Sequence, residues 1–447
     1  MIVYEYLRKI KGYYKIKQKE KAGLVLSPVR RIERVYPPNT GRYVAMTFDD
    51  GPSYLKTNPL CSSVGLTEHI LSVLEKYNAH GTFDVIGTTK ENYPDEKGAD
   101  GKFEWSGKRY DHYPDFGMDQ TGGAKNCPDL INKMIDGGHQ ITNHGYRHVL
   151  FGKKRLVYGN RHCFENVFEA RDDIQKLDNL LKNDFDYKMT MARPPHYVDK
   201  TCDGYSSYDI YRYLNYQYMA ASFDGGGWVA SSGSYEQDVA KMIKPLEKAL
   251  SADPDSLNGQ IIFQKDGSNM SRMTPVANAL EKQLDLLYKY GYNVVTVKEL
   301  LSMSVCEDVP CDSEVFEPLR SLVCKGYTLL SKNNCFYGHR NATVYEFLTM
   351  ISNPSELLSV YRDLFDNCFR GNEILLHYKV SAKHYLAAGI CVCAGSGFIS
   401  QNNTEKLCKK TPLTWDFLRK LDPAAKGKTP LPTKKDIVLS MAKILLK

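Results

Sequence analysis

The chain has 447 residues, more than one ordinary domain holds. Its 42% hydrophobic and 25% charged content reads as a folded globular protein and excludes a disordered one. The net charge of +7 is densest between Arg8 and Lys21 and again at Arg30, Arg31 and Arg34; with no RNA-binding or helix-turn-helix signature, this reads as a solvated basic leader and nucleic acid is not expected as a partner.

Residues 1–40 form the expected leader or linker, ending in the turn-forming run Tyr36-Pro-Pro-Asn-Thr-Gly41. The leader lacks the apolar centre of a signal peptide, and no run of about 18 apolar residues predicts a transmembrane helix. From 41 to 302, short apolar runs alternate with helical patterns. Tyr43–Phe48 is a predicted buried strand, Leu66–Tyr77 a helix with Ile70, Leu71 and Leu74 on one face, and Thr82–Ile86 a second strand. His139–Thr142, Lys188–Ala192, Gln217–Phe223, Gln260–Gln264 and Asn293–Val297 continue the strands, with amphipathic segments such as Cys163–Leu181 and Val276–Tyr290 between them. Strand–helix alternation of this kind predicts an α/β fold, a distorted parallel (β/α) barrel of about seven strands. Residues 88–125 break the pattern and read as a surface insertion near the site.

Beyond Leu301 the composition changes. Four cysteines precede residue 300 and eight follow it: Cys306, Cys311, Cys324, Cys335, Cys368, Cys391, Cys393 and Cys408. A dense, even set predicts a disulfide framework in an exported module; the rival, a zinc site, lacks a pair of CxxC motifs. Leu322–Tyr327 with Asn341–Leu348, and Tyr385–Ile390 with Thr411–Leu418, each pair an apolar helix ending near Gly with a Thr-initiated helix, and Lys434–Leu446 starts a third unit. Residues 303–447 are therefore expected to be a smaller, mostly helical, Cys-rich repeat domain.

Two motifs carry chemistry. Thr47-Phe-Asp-Asp-Gly-Pro52 ends a strand in adjacent carboxylates, at the end where a barrel keeps its active site. Neighbouring residues there point apart, so one carboxylate can bind a metal while the other handles a proton, and their like charges separate their pKa values. Asn143-His-Gly-Tyr-Arg-His148 spaces two His four residues apart, as on one side of a helical turn. Two His and one Asp leave coordination positions open for water and substrate.

On these residues the chain resembles the polysaccharide deacetylases with a NodB homology domain. Gly81–Gly87 resembles the strand between the two motifs, Ala192-Arg-Pro-Pro-His196 the third motif, Asp224-Gly-Gly-Gly-Trp228 the fourth, Gly259–Asp266 the fifth, and Gly291–Leu300 the closing strand and helix. The resemblance implies that Asp49 is the general base and that Asp50, His144 and His148 hold one divalent metal, zinc or cobalt. It implies that Arg193 orients Asp49, that Trp228 lines the acetyl pocket, and that a backbone N–H near Pro195 or in the turn after Asp49 faces the oxyanion. Three positions depart from the pattern: Gly227 replaces an Asp, His196 an aromatic residue, and Lys265 the His that serves as general acid. Lys265 and His196 are thus the candidate acids. The C-terminal repeats resemble S-layer homology modules, although Val344 stands where that family has Arg.

The implied function is metal-dependent removal of N-acetyl groups from an aminosugar polymer such as peptidoglycan or chitin, or of O-acetyl groups from a plant polysaccharide. The abundance of Tyr, 31 residues, suits stacking on sugar rings. A catalytically silent carbohydrate-binding protein on the same fold is the alternative, favoured by Lys265 and Gly227; a hydrolase of a small amide or imide is a third. The expected partners are a polysaccharide substrate and, through the C-terminal module, a cell-wall polymer, with the protein secreted or wall-associated.

Overall fold

The structure is a computed structural model describing residues 24–37, 41–56, 58–89, 104–105, 108–109, 122–156, 159–160, 162–226, 234–267, 274–400, 407–408, 410–427 and 429–446. It divides into two compact units, Ile32–Ser304 and a second that joins Val305 onward to the chain up to Arg31.

The first unit is built on a nine-stranded sheet. Its strands are β1 (Arg31–Ile32), β2 (Arg42–Asp49), β3 (Thr82–Val85), β4 (Gln140–Asn143), β5 (Met191–Ala192), β6 (Gln217–Met219), β7 (Phe223–Asp224), β8 (Ile261–Lys265) and β9 (Tyr292–Val295). They run in the order β1-β6-β5-β4-β3-β2-β8-β7, with β9 beside β2. The registered pairs of this sheet are parallel. Ala45 pairs with Ile261 on one edge of β2 and Val295 on the other, so β2 carries β8 on one side and β9, then β3, on the opposite side. Strand β6 lies next to β1 at one end of the path and β7 at the other end, yet β6 and β7 are joined by residues 220–222 alone. A link that short spans about 14 Å at most, so the sheet must curl round on itself. The expected barrel-like α/β architecture is present. The strand count is nine rather than seven because Gln217–Phe223, read as one strand, is two short ones that serve different neighbours, and because Arg31–Ile32, read as leader, adds β1.

Strand β2 shows why the sheet forms. Val44, Ala45, Met46 and Phe48 are all fully buried, the near-continuous apolar run of a parallel strand covered on both faces. Phe48 stacks on Phe83 of β3 at 5.1 Å. Helices α1 (Leu66–Lys76), α2 (Pro128–Asp136), α3 (Val167–Phe185), α4 (Ser207–Leu214), α5 (Tyr235–Ala252), α6 (Val276–Lys289) and α7 (Val297–Met303) connect the strands. In α3, Val167, Ala170, Ile174, Leu177 and Leu181 are buried at helical spacing, and Asn166 caps the start by accepting from the Phe168 and Glu169 N–H groups. Helix α5 was not among the segments read from sequence, and it holds Pro245 in its interior. The insertion at 88–125 falls mostly outside the described residues.

The second unit is helical, as expected: α8 (Phe316–Cys324), α9 (Val344–Ile351), α10 (Pro354–Asp366), α11 (Glu373–His377), α12 (Ala387–Gly395), α13 (Trp415–Leu418) and α14 (Lys434–Leu445). Tyr345, Phe347, Leu348, Ile390, Leu413, Leu418, Ile437 and Met441 share one apolar core. The three Thr-initiated helices begin alike. Thr343 and Thr433 form capping boxes with Glu346 and Asp436, and Thr414 accepts from the Phe417 N–H. The segments just before them meet, with bridges Asn341–Thr433 and Thr343–Pro412. Residues 24–31, read as leader, also pair here: Ser27 N–H donates to Leu330 O at 3.0 Å. The disulfide framework is a correction. All twelve cysteines are thiols, and Cys306 and Cys393 lie in the apolar core as small hydrophobic groups. Among the described residues no helix is long and apolar enough to cross a membrane.

Phe48→Ala should lower the unfolding free energy of the first unit by about 3–5 kcal/mol, read from the denaturant midpoint of the full chain. A loss under about 1 kcal/mol would contradict the central place given to β2.

Candidate active site

The parallel register lines up the carboxyl ends of the central strands. Lys265 sits beside Asp49, Asp49 beside Asp84, and Asp84 beside Thr142. Adjacent turns complete the site with Asp50, His144, His148 and Arg193.

Asp49 ends β2 and is buried. Its Oδ1 accepts from Nη1 of Arg193, which also donates to Thr47 Oγ1 at 3.1 Å. Asp50 follows in the left-handed region, at φ 75°, a conformation that costs a non-glycine residue on the order of 1 kcal/mol or more and gathers at functional sites. His148 (φ 55°) and His196 (φ 54°) share it. The turn after Asp50 packs tightly on the end of β8. A Cβ at Gly267 would fall 2.4 Å from Asp50 O, and one at Gly51 within 2.4 Å of the Asp266 carboxylate. Gly51 N–H donates to Asp266 Oδ1 at 3.1 Å, so this backbone donor of the turn is engaged.

The HxxxH segment is a loop rather than the helical turn read from its spacing. Asn143 Oδ1 accepts from Gly145 N–H at 2.9 Å, and Asp173 of α3 accepts from Tyr146 N–H at 2.8 Å. The loop still directs both rings to one atom: His144 Nε2 and His148 Nε2 are each 3.2 Å from Asp50 Oδ1. Asp50 Oδ2 is held by Lys265 Nζ. A tetrahedral ion with bonds of about 2.0–2.1 Å places its ligand atoms about 3.3–3.4 Å apart, close to the observed spacing. Asp50 Oδ1 is buried with no hydrogen bond among the described residues, which is costly unless something else satisfies it. The three residues form one of two potential metal-ligating clusters among the described residues; the other is Asp49, Asp84 and His144.

Charge points the same way. Four buried carboxylates, Asp49, Asp50, Asp84 and Asp266, face two buried basic side chains, Arg193 and Lys265. Burial raises Asp49 to about 7 despite Arg193, and burial raises Asp266 to about 8. Asp50 also feels burial, but Lys265 and the two imidazoles hold it well below the usual carboxylate range. Burial opposes the charged form of His144, yet Asp84 and Asp50 hold it well above an ordinary imidazole; burial lowers His148. Protons on Asp266, in part on Asp49, and on His144 make up the shortfall of positive charge, and a divalent cation on Asp50 Oδ1 would supply two units of it in their place.

His196 lies in the turn Pro195–Tyr197, half-buried, with its ring centroid 5.7 Å from that of His148. Pro195 is buried in the same turn. Trp228 and Gly227 lie outside the described residues. Sequence reasoning missed Asp84 and the buried position of Asp266. A lone acid in the apolar strand Thr82-Phe-Asp-Val85 was the available signal for the first.

Residues 37–212 match the sequence model of the family described as Polysaccharide deacetylase. Three curated proteins are similar. Peptidoglycan-N-acetylmuramic acid deacetylase PdaC of Bacillus subtilis (strain 168) is 24% identical over 43% of this chain and 29% of its own length. A bifunctional xylanase/deacetylase of Pseudobutyrivibrio xylanivorans is 22% identical over 59% of this chain and 31% of its own length. A peptidoglycan-N-acetylglucosamine deacetylase of Bacillus cereus is 23% identical over 59% of this chain and 90% of its own length. The chain thus spans under a third of the length of the first two.

Two outcomes test the site. His148→Ala should reduce bound Co²⁺ from one per chain to a small fraction by equilibrium dialysis; unchanged stoichiometry would remove His148 from the ligand set. Asp266 binds its proton more tightly when folded than a free carboxyl near 3.9 does. The metal-free protein should therefore lose stability as pH rises from about 4 to about 8, by up to about 1.4 kcal/mol per pH unit. Asp266→Asn keeps acceptance from Gly51 and should flatten that loss in urea midpoints measured across the window.

Proposed function

We propose that this protein is a divalent-metal-dependent hydrolase that removes acetyl groups from a polysaccharide. The observation that carries this reading is the convergence of His144 Nε2 and His148 Nε2 on Asp50 Oδ1, with Asp49, held by Arg193, beside them. Two imidazoles and a carboxylate suit zinc or cobalt. Such an ion, when bound, supplies Lewis acidity to an acyl oxygen and acidifies water.

The chain's own groups provide the rest. Arg193 occupies Oδ1 of Asp49, which leaves Oδ2, 3.9 Å from His144 Nε2, to accept a proton from the attacking water. Lys265 and His196 are the donors proposed for the leaving group. Lys265 Nζ lies on Asp50 Oδ2, so its proton is already hydrogen-bonded at the centre of the site. Pro195 and Trp228 are proposed to shape the acetyl pocket. Peptidoglycan, chitin and acetylated xylan are the candidate polymers, supported by the names of the similar proteins. The second unit is proposed to bind wall polymer, which fits its repeated capped helices and an open cleft of about 630 Å³ lined in part by Phe336, His339, Thr433 and Lys435. That assignment places the protein outside the cell or on its wall.

A silent carbohydrate-binding protein is the second reading, favoured by the engagement of Lys265 with Asp50. Acetate release from acetylated glycans with added Zn²⁺ or Co²⁺ separates the two. Asp49→Asn should cut turnover by about 10²–10⁴ while leaving the metal bound, and Lys265→Ala should slow N-acetyl amides more than O-acetyl esters, because an amine is the poorer leaving group. No acetate from any glycan, with glycan binding unchanged in Asp49→Asn, supports the silent protein. Asp49 must be ionised to act, and added positive charge lowers it from about 7. The rising limb of kcat/KM with pH should therefore lie at or below about 7.

A further inference from the structure

Asp84 is fully buried in β3 between two registered neighbours, Asp49 and Thr142. An unpaired carboxylate in such a place is costly, so its partners matter. Its Oδ1 accepts from Thr142 Oγ1 at 2.6 Å. Its Oδ2 lies 2.8 Å from Nδ1 of His144. The same Nδ1 is 2.8 Å from the main-chain oxygen of Arg193. The better-aligned hydrogen bond goes to the carbonyl, and Asp84 Oδ2 has its ion-pair contact with the ring while accepting no hydrogen bond among the described residues.

These contacts divide the work on His144. Either acceptor keeps the proton on Nδ1 and leaves the lone pair of Nε2 facing Asp50 Oδ1. Only the carboxylate adds negative charge behind the ring, which makes Nε2 a stronger donor to a cation in front of it. Thr142 fixes the carboxylate plane that directs Oδ2 at Nδ1.

We propose that Asp84 is a positioning residue that raises the affinity of the Asp50–His144–His148 site for a divalent ion through His144. The proposal rests on the metal-dependent reading above. A merely structural Asp84–Thr142 pair would change stability and leave metal binding alone.

The test is Co²⁺ binding to the full chain, followed by calorimetry and by visible ligand-field absorption. Asp84→Asn keeps the shape and removes the charge. It should bind Co²⁺ about 10–100-fold more weakly, with a shifted absorption band. Thr142→Val keeps the charge and removes its anchor, and should weaken binding in the same direction by a smaller factor. Affinity within twofold of the parent and an unchanged band in Asp84→Asn overturn the proposal while the metal site stands. Should Asp84→Asn fail to fold, Thr142→Val decides by the same criterion. A parent chain that binds no Co²⁺ overturns both this proposal and the reading beneath it.

Discussion

Four carboxylates buried at one end of a parallel sheet are the constraint around which the first unit is arranged. Like charges so close, removed from water, demand opposite charge or protons. Arg193 answers Asp49, Lys265 answers one oxygen of Asp50, and His144 lies between Asp50 and Asp84. Burial leaves Asp49 and Asp266 tending to keep protons, near 7 and 8. The remaining need falls at Asp50 Oδ1, the buried atom toward which both imidazole Nε2 atoms point.

The same constraint explains the local backbone. Converging on one point from different strands requires turns tighter than ordinary residues favour. Asp50, His148 and His196 take left-handed φ values to direct their side chains. Gly51 and Gly267 permit the approach of the Asp49–Pro52 turn to the end of β8, where a Cβ would collide with Asp266 or with the Asp50 carbonyl. Asp173, reaching from α3 to the Tyr146 and Arg147 N–H groups, holds the histidine loop without regular structure. Strain here is offset by hydrogen bonds from the surrounding helices and strands.

Lys265 changes the character of the site. Read from sequence, it stood as a candidate acid in place of a His. In the structure its ammonium lies on Asp50 Oδ2, opposite the oxygen that faces the imidazoles. A lysine there orients the carboxylate, and under the proposed reaction it would hold a proton beside the metal point. The position also places a fixed positive charge next to the proposed metal point, which weakens cation binding and gives the negative charge of Asp84 something to offset.

The sequence by itself determined the residue types at the strand ends, the alternation of buried strands with helices, and the Thr-capped helices of the second unit. Each is a local signal: Thr47–Pro52, Asn143–His148, and the Thr343 and Thr433 capping boxes all lie within a few residues of chain. Tertiary structure decided the rest. Which cation meets which carboxylate depends on the register of strands up to 216 residues apart, as with Asp49 and Lys265, and no local pattern encodes that pairing. Asp84 looked like one acid in an apolar strand until β4 brought Thr142 and His144 beside it. The cysteines looked like a framework because their spacing carries no distances, whereas the fold buries Cys306 and Cys393 in its core as thiols. Helical and strand periodicity come from neighbouring residues; a charge-balanced site comes only from folding distant ones together.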